Sequence, residues 1–112
     1  MKQYQVTETQ IAAIQDRLVF SVGAATAKHI ADTHPRTLTT EHVVNTGGGC
    51  EAYIVRYSLP DDHLIVVWTD PAGMDLPDGT GKDQFLCGVY RDEISEDPLA
   101  MNDGDPERPV PF

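Results

Sequence analysis

An α+β fold is predicted by three features of the chain: a helical apolar stripe in the first third, extended segments rich in tyrosine and β-branched residues in the middle, and short links between those segments. Strands that follow one another through short links favour an antiparallel meander. An amphipathic helix with nothing else to pack on then covers one face of that sheet, giving two layers.

The helix start is marked by Thr7 as N-cap, with Gln10 as its capping-box partner and Val6 and Ile11 at the hydrophobic-staple positions. Ile11, Ile14, Leu18, Val22 and Ala25 recur at spacings of three and four and form one stripe. Gly23 admits two readings: one helix over about residues 8 to 32, or two helices meeting there, before Pro35 removes helical geometry at His34. Residues 35–40 read as a spacer. Residues 42–45 then make a short extended piece, and Glu51–Ser58 and Leu64–Thr69 pair as a hairpin through the Pro60-containing link 59–63. A long polar loop, Asp70–Asp83, precedes a final strand Phe85–Tyr90. The expected sheet is a three- to four-stranded antiparallel meander. Residues 1–91 form the domain, and 92–112, with four prolines, seven acids and one arginine, read as an acidic, largely irregular tail.

Charge is divided unevenly. Residues 1–60 hold five acids and five bases, whereas 61–112 hold thirteen acids against three bases, so the whole net charge of -10 lies in the second half. Such a field repels phosphate backbones and attracts basic surfaces, which argues against direct nucleic-acid binding and for a basic protein partner. Simple solubility accounts for the same charge with no partner at all and outweighs the partner reading on charge alone. The longest apolar run, Leu64–Trp68, is too short to span a membrane. Two cysteines and a polar beginning without a leader pattern lead to the expectation of a reducing, cytoplasmic setting.

Gly47, Gly48 and Gly49 precede Cys50 directly. Glycines before a strand suit a bulge or a binding loop. A nucleophilic Cys50 would use the Gly48 and Gly49 amides as an anion hole and His42 or His63 as base. A cysteine that opens a strand, however, usually packs as a small apolar side chain. Cys50, Cys87, His42 and His63 have the ligand chemistry for zinc, but their spacing holds no paired motif, and a Cys50–Cys87 disulfide needs neighbouring strands. Gly79–Lys82 lacks the upstream glycine and the following Ser or Thr of a phosphate loop, and Asp70, Asp75, Asp78 and Asp83 lack EF-hand order. No cofactor and no metal is expected. His29 and His34 are expected to be solvated near a helix end.

Along residues 51–58 both faces carry apolar side chains: Tyr53, Val55 and Tyr57 on one, Ala52 and Ile54 on the other. If the tyrosine face is open, Tyr53, Tyr57 and Trp68 form an interface patch; otherwise the tail or a second subunit covers it.

The order Asn45-Thr-Gly-Gly-Gly-Cys50, an apolar hairpin, Thr69-Asp70, Leu76-Pro77 and Leu86-Cys-Gly-Val-Tyr90 resembles small proteins of bacteria and their phages, over about residues 42 to 92. That group brings no established activity or site residues. The resemblance implies a setting among mobile genetic elements, where small acidic domains often bind and block host machinery.

The expected function is therefore that of an acidic, non-enzymatic protein-binding module, in its sharpest form an inhibitor imitating nucleic-acid charge. Its contacts would come from Tyr53, Tyr57, Trp68, Asp75, Asp78, Asp92, Glu93, Glu96 and Asp97. The alternatives are a small-molecule or thiol-dependent site at Gly47–Cys50 and a structural homodimer.

Overall fold

Thr7 caps the first helix with both bonds of a capping box: its hydroxyl accepts the Gln10 N–H at 3.1 Å, and Gln10 Oε1 accepts the Thr7 N–H at 2.8 Å. The chain is described by a computed structural model over residues 3–60, 63–70, 74–77, 85–91 and 99–103. Helix α1 runs Glu8–Val22 and α2 runs Ala24–Thr33. Gly23, at φ 86 and ψ 161, separates them, so the second of the two helix readings holds. A side chain at that backbone geometry would be strained.

Two short strands flank the helices. β1 (Gln3–Gln5) pairs antiparallel with β2 (Thr37–Thr39), with Tyr4 opposite Leu38. Residues 37–39, expected to be spacer, are therefore a strand, and its Leu38 is fully buried. Arg36 locks this region. Its Nη1 donates to the carbonyls of Ala31 and His34 at 2.9 and 2.7 Å, satisfying groups left over at the end of α2. Its Nε and Nη2 hold the Glu8 carboxylate at 2.6 and 3.1 Å, tying that end to the start of α1.

A single 3-10 turn, Thr40–His42, leads into the main sheet. Its strands are β3 (Val43–Gly47), β4 (Cys50–Ser58), β5 (His63–Thr69), β6 (Leu86–Arg91) and β7 (Ala100–Asp103), joined in that order and antiparallel throughout. The expected meander is present, with a fifth strand. Residues 100–103 lie inside the stretch expected to be an irregular tail, yet Ala100 to Asp103 pair with Val89 to Leu86. Backbone pairing and the Ser21 hydroxyl, which donates to the Leu99 carbonyl at 2.8 Å, outweigh the acidic composition. The rest of that tail lies outside the described residues.

Register fixes what meets the helices. Tyr53, Trp68 and Cys87 stand side by side across β4, β5 and β6, and Val55, Val66 and Val89 form the next row. These residues pack with Ile11, Ile14, Leu18, Ala27 and Ile30 in one core. The tyrosine face is therefore the helix-covered face. Tyr53 and Trp68, expected as an open patch, are 1% and 0% exposed, because these bulky rings fill the space between the layers. Among the described residues, no helix is long and apolar enough to cross a membrane.

Candidate functional site on the outer sheet face

The other face of the sheet has its own apolar cluster. Ala52, Ile54, Ile65 and Val67 pack together there with Val44 and Tyr90, and neither helix contributes a side chain. Ala52, Ile54, Ile65 and Val67 are 0, 6, 7 and 9% exposed, so this cluster is a second small core and not a face turned to water. The Tyr90 ring lies across Gly88: a Cβ at Gly88 would come within 2.7 Å of it. Glycine there allows the ring to lie flat on the sheet. Two grooves furrow the face, one of about 480 Å³ beside Ile54, Arg56 and Ile65, the other of about 270 Å³ beside Ala52, Val67 and Tyr90.

Gly48 and Gly49 form the turn between β3 and β4, and Gly47 ends β3 just after a break in register. Asn45 Oδ1 accepts the Gly47 N–H at 2.8 Å, and Gly47, Gly48 and Gly49 have φ of 114, 59 and 84. A Cβ on any of them would meet nothing within 4 Å, so backbone conformation, and not a close approach, is what asks for glycine. Gly47→Ala is expected to lower stability by about 1 to 2 kcal/mol, while Gly48→Asn, in a left-handed region that asparagine tolerates, stays within about 0.5 kcal/mol. Urea midpoints measure both. Equal losses for the two would contradict this assignment.

Cys50 is half-buried at the start of β4 and, by strand alternation, shares the outer face with Ala52 and Ile54. Neither candidate base reaches it. His63 stands opposite Ser58, eight residues along the same strand, or roughly 26 Å away. His42 uses Nδ1 to accept the Thr39 N–H at 3.0 Å. Cys87 is buried on the inner face, where desolvation pushes its thiol pKa well up, and β5 separates its strand from that of Cys50. The two cysteines are free and face opposite ways. No group of three or more potential metal-binding side chains occurs among the described residues.

Of the remaining expected contacts, Tyr57 is half-buried, its hydroxyl donating to the Ile30 carbonyl at 3.3 Å, which points it toward α2. Asp75 is exposed in a loop organised by Asp70, whose Oδ1 accepts the Met74 N–H at 3.1 Å. Asp78, Asp92, Glu93, Glu96 and Asp97 lie outside the described residues.

One histidine expected in solvent is instead buried. His34 is 4% exposed between α2 and the sheet. Its Nε2 accepts the Trp68 indole N–H at 3.2 Å and its Nδ1 contacts the Pro35 carbonyl at 2.8 Å. Indole only donates and a carbonyl only accepts, so the ring is neutral with its proton on Nδ1. Burial lowers its pKa from 6.5 to about 4, with Arg36 and His42 adding to the shift and the Pro35 bond opposing it.

No family model, curated protein or solved structure matches the chain.

Proposed function

We propose that the protein is a non-enzymatic binding module that engages a basic protein surface. The observation that carries this reading is the charge split, with the whole net charge of -10 in residues 61–112. The thirteen acids of residues 61–112 set the sign of the partner. Charge of one sign steers encounter with the opposite sign, and imitation of nucleic-acid charge would make the module an inhibitor of a nucleic-acid-binding protein. A setting in a mobile genetic element fits that role.

The test neutralises Asp92→Asn, Glu93→Gln, Glu96→Gln and Asp97→Asn together. Affinity for the basic partner is expected to fall by about tenfold or more at low salt, with an unchanged thermal midpoint. Unchanged affinity would count against the reading. A thiol-dependent site is disfavoured by the separation of Cys50 from His63.

A further inference from the structure

The second core, Ala52, Ile54, Ile65 and Val67, has a floor and two apolar flanks but no lid among the described residues. The sheet itself is the floor, and Val44 of β3 and Tyr90 of β6 are the flanks. Yet the four side chains are at most 9% exposed. Flanking residues of one sheet leave the top of its face open to water, so such burial needs a cover. The helices cannot supply it, and Leu76, Phe85 and Leu99 all pack in the inner core on the opposite side.

Outside the described residues the chain holds few large apolar side chains: Met1, Ile94, Val110 and Phe112. Met1 precedes β1, whose Tyr4 belongs to the inner core. Ile94 stands alone among Asp92, Glu93, Glu96 and Asp97. Residues 104–112 begin beside the second core. β7 ends at Asp103 opposite Leu86, and Leu86 lines the groove of about 270 Å³ together with Ala52, Val67 and Tyr90. An extended segment of this length reaches about 30 Å, against about 14 Å for the three strand spacings from β7 to β4. Pro106, Pro109 and Pro111 carry no N–H, so a segment crossing the strands leaves fewer donors unpaired over an apolar surface. Val110 and Phe112 flank Pro111, and an extended backbone directs both to one side.

We infer that residues 104–112 fold back over the outer face of the sheet and that Val110 and Phe112 close its core. The segment enters along the smaller groove and sets the Phe112 ring over Ile54, Ile65 and Val67, while Asp105, Glu107 and Arg108 stay in water. This inference is independent of the basic-partner reading, because it rests on apolar burial and not on charge.

The experiment is NMR of the full chain labelled at its isoleucine and valine methyl groups. Nuclear Overhauser contacts are expected between the Phe112 ring and the methyls of Ile54, Ile65 and Val67, with those methyl resonances shifted upfield by the ring. Phe112→Leu keeps an apolar side chain and removes the ring, so the same resonances should move downfield while those of Val66 and Val89, in the inner core, stay in place. A mixture of methyl-labelled chains carrying deuterated phenylalanine with unlabelled chains tells a lid made by the same chain from one donated by a second copy; the contacts should vanish in it. Absence of contacts from Phe112, contacts from Ile94 in their place, methyl shifts unchanged in Phe112→Leu, or contacts that persist in the mixture would overturn the proposal.

Discussion

Trp68→Ala is expected to cost roughly 3 to 5 kcal/mol, a large share of the about 5 to 15 kcal/mol that holds an ordinary domain folded. Trp68 is fully buried at the meeting point of the two layers. Its ring centroid lies 5.9 Å from Tyr4, 5.7 Å from His34 and 5.6 Å from Phe85, so truncation strips contacts from β1, from the end of α2 and from the start of β6 together. It also leaves His34 Nε2 without its donor. Trp68→Phe separates these contributions, because it keeps most of the apolar volume and removes the N–H; its cost is expected to be about 1 to 3 kcal/mol. Denaturant unfolding of both variants checks the order. A Phe variant as unstable as the Ala variant would mean that the hydrogen bond, and not the ring packing, dominates.

Acid should weaken the fold through His34. Its pKa falls from 6.5 to about 4 on folding, because a second proton on the buried ring has to displace the Trp68 bond. The unfolded chain therefore binds more protons than the folded one between those two values. The contribution is fully present above pH 6.5, declines as pH falls through the window, and adds no further slope below about pH 4. Its full size is on the order of 3 kcal/mol. Glu8 also contributes, since the Arg36 bonds hold its carboxyl below the usual carboxylate range, but that contribution is lost at lower pH, below the ordinary value of 4.5. Urea midpoints measured across pH 7.5 to 4.5 should fall in the wild-type protein, and the slope should be much smaller in His34→Gln, whose baseline stability is lower. Parallel slopes would show that His34 is not the titrating group.

The helix start and the central hairpin were legible because their signals are local. Thr7 and Gln10 act within one turn, and the tyrosine- and valine-rich residues of β4 and β5 sit next to each other in sequence. Long-range pairing hid the rest. β1 and β2 are three residues each and find each other only across the chain, through Gln3 opposite Thr39, Tyr4 opposite Leu38 and Gln5 opposite Thr37. β7 sits among acids and prolines, and only its ladder to β6 identifies it. The inner and outer faces of β4 could not be told apart by alternation, since both are apolar; the bulk of Tyr53 and Trp68 and the helix stripe decide which is covered. His34 stands next to Pro35 at a helix end, a position that looks solvated in sequence, and only the Trp68 indole, 34 residues away, makes it a core residue.

The binding-module account is tested most directly by passing a bacterial lysate over the immobilised protein at about 50 mM and about 500 mM salt, between which the Debye length shortens from about 14 to about 4 Å. The account predicts that a basic or nucleic-acid-binding protein is held at the lower salt and released at the higher. Columns empty at both concentrations, or retention of a protein with no basic surface that high salt does not disturb, would contradict it.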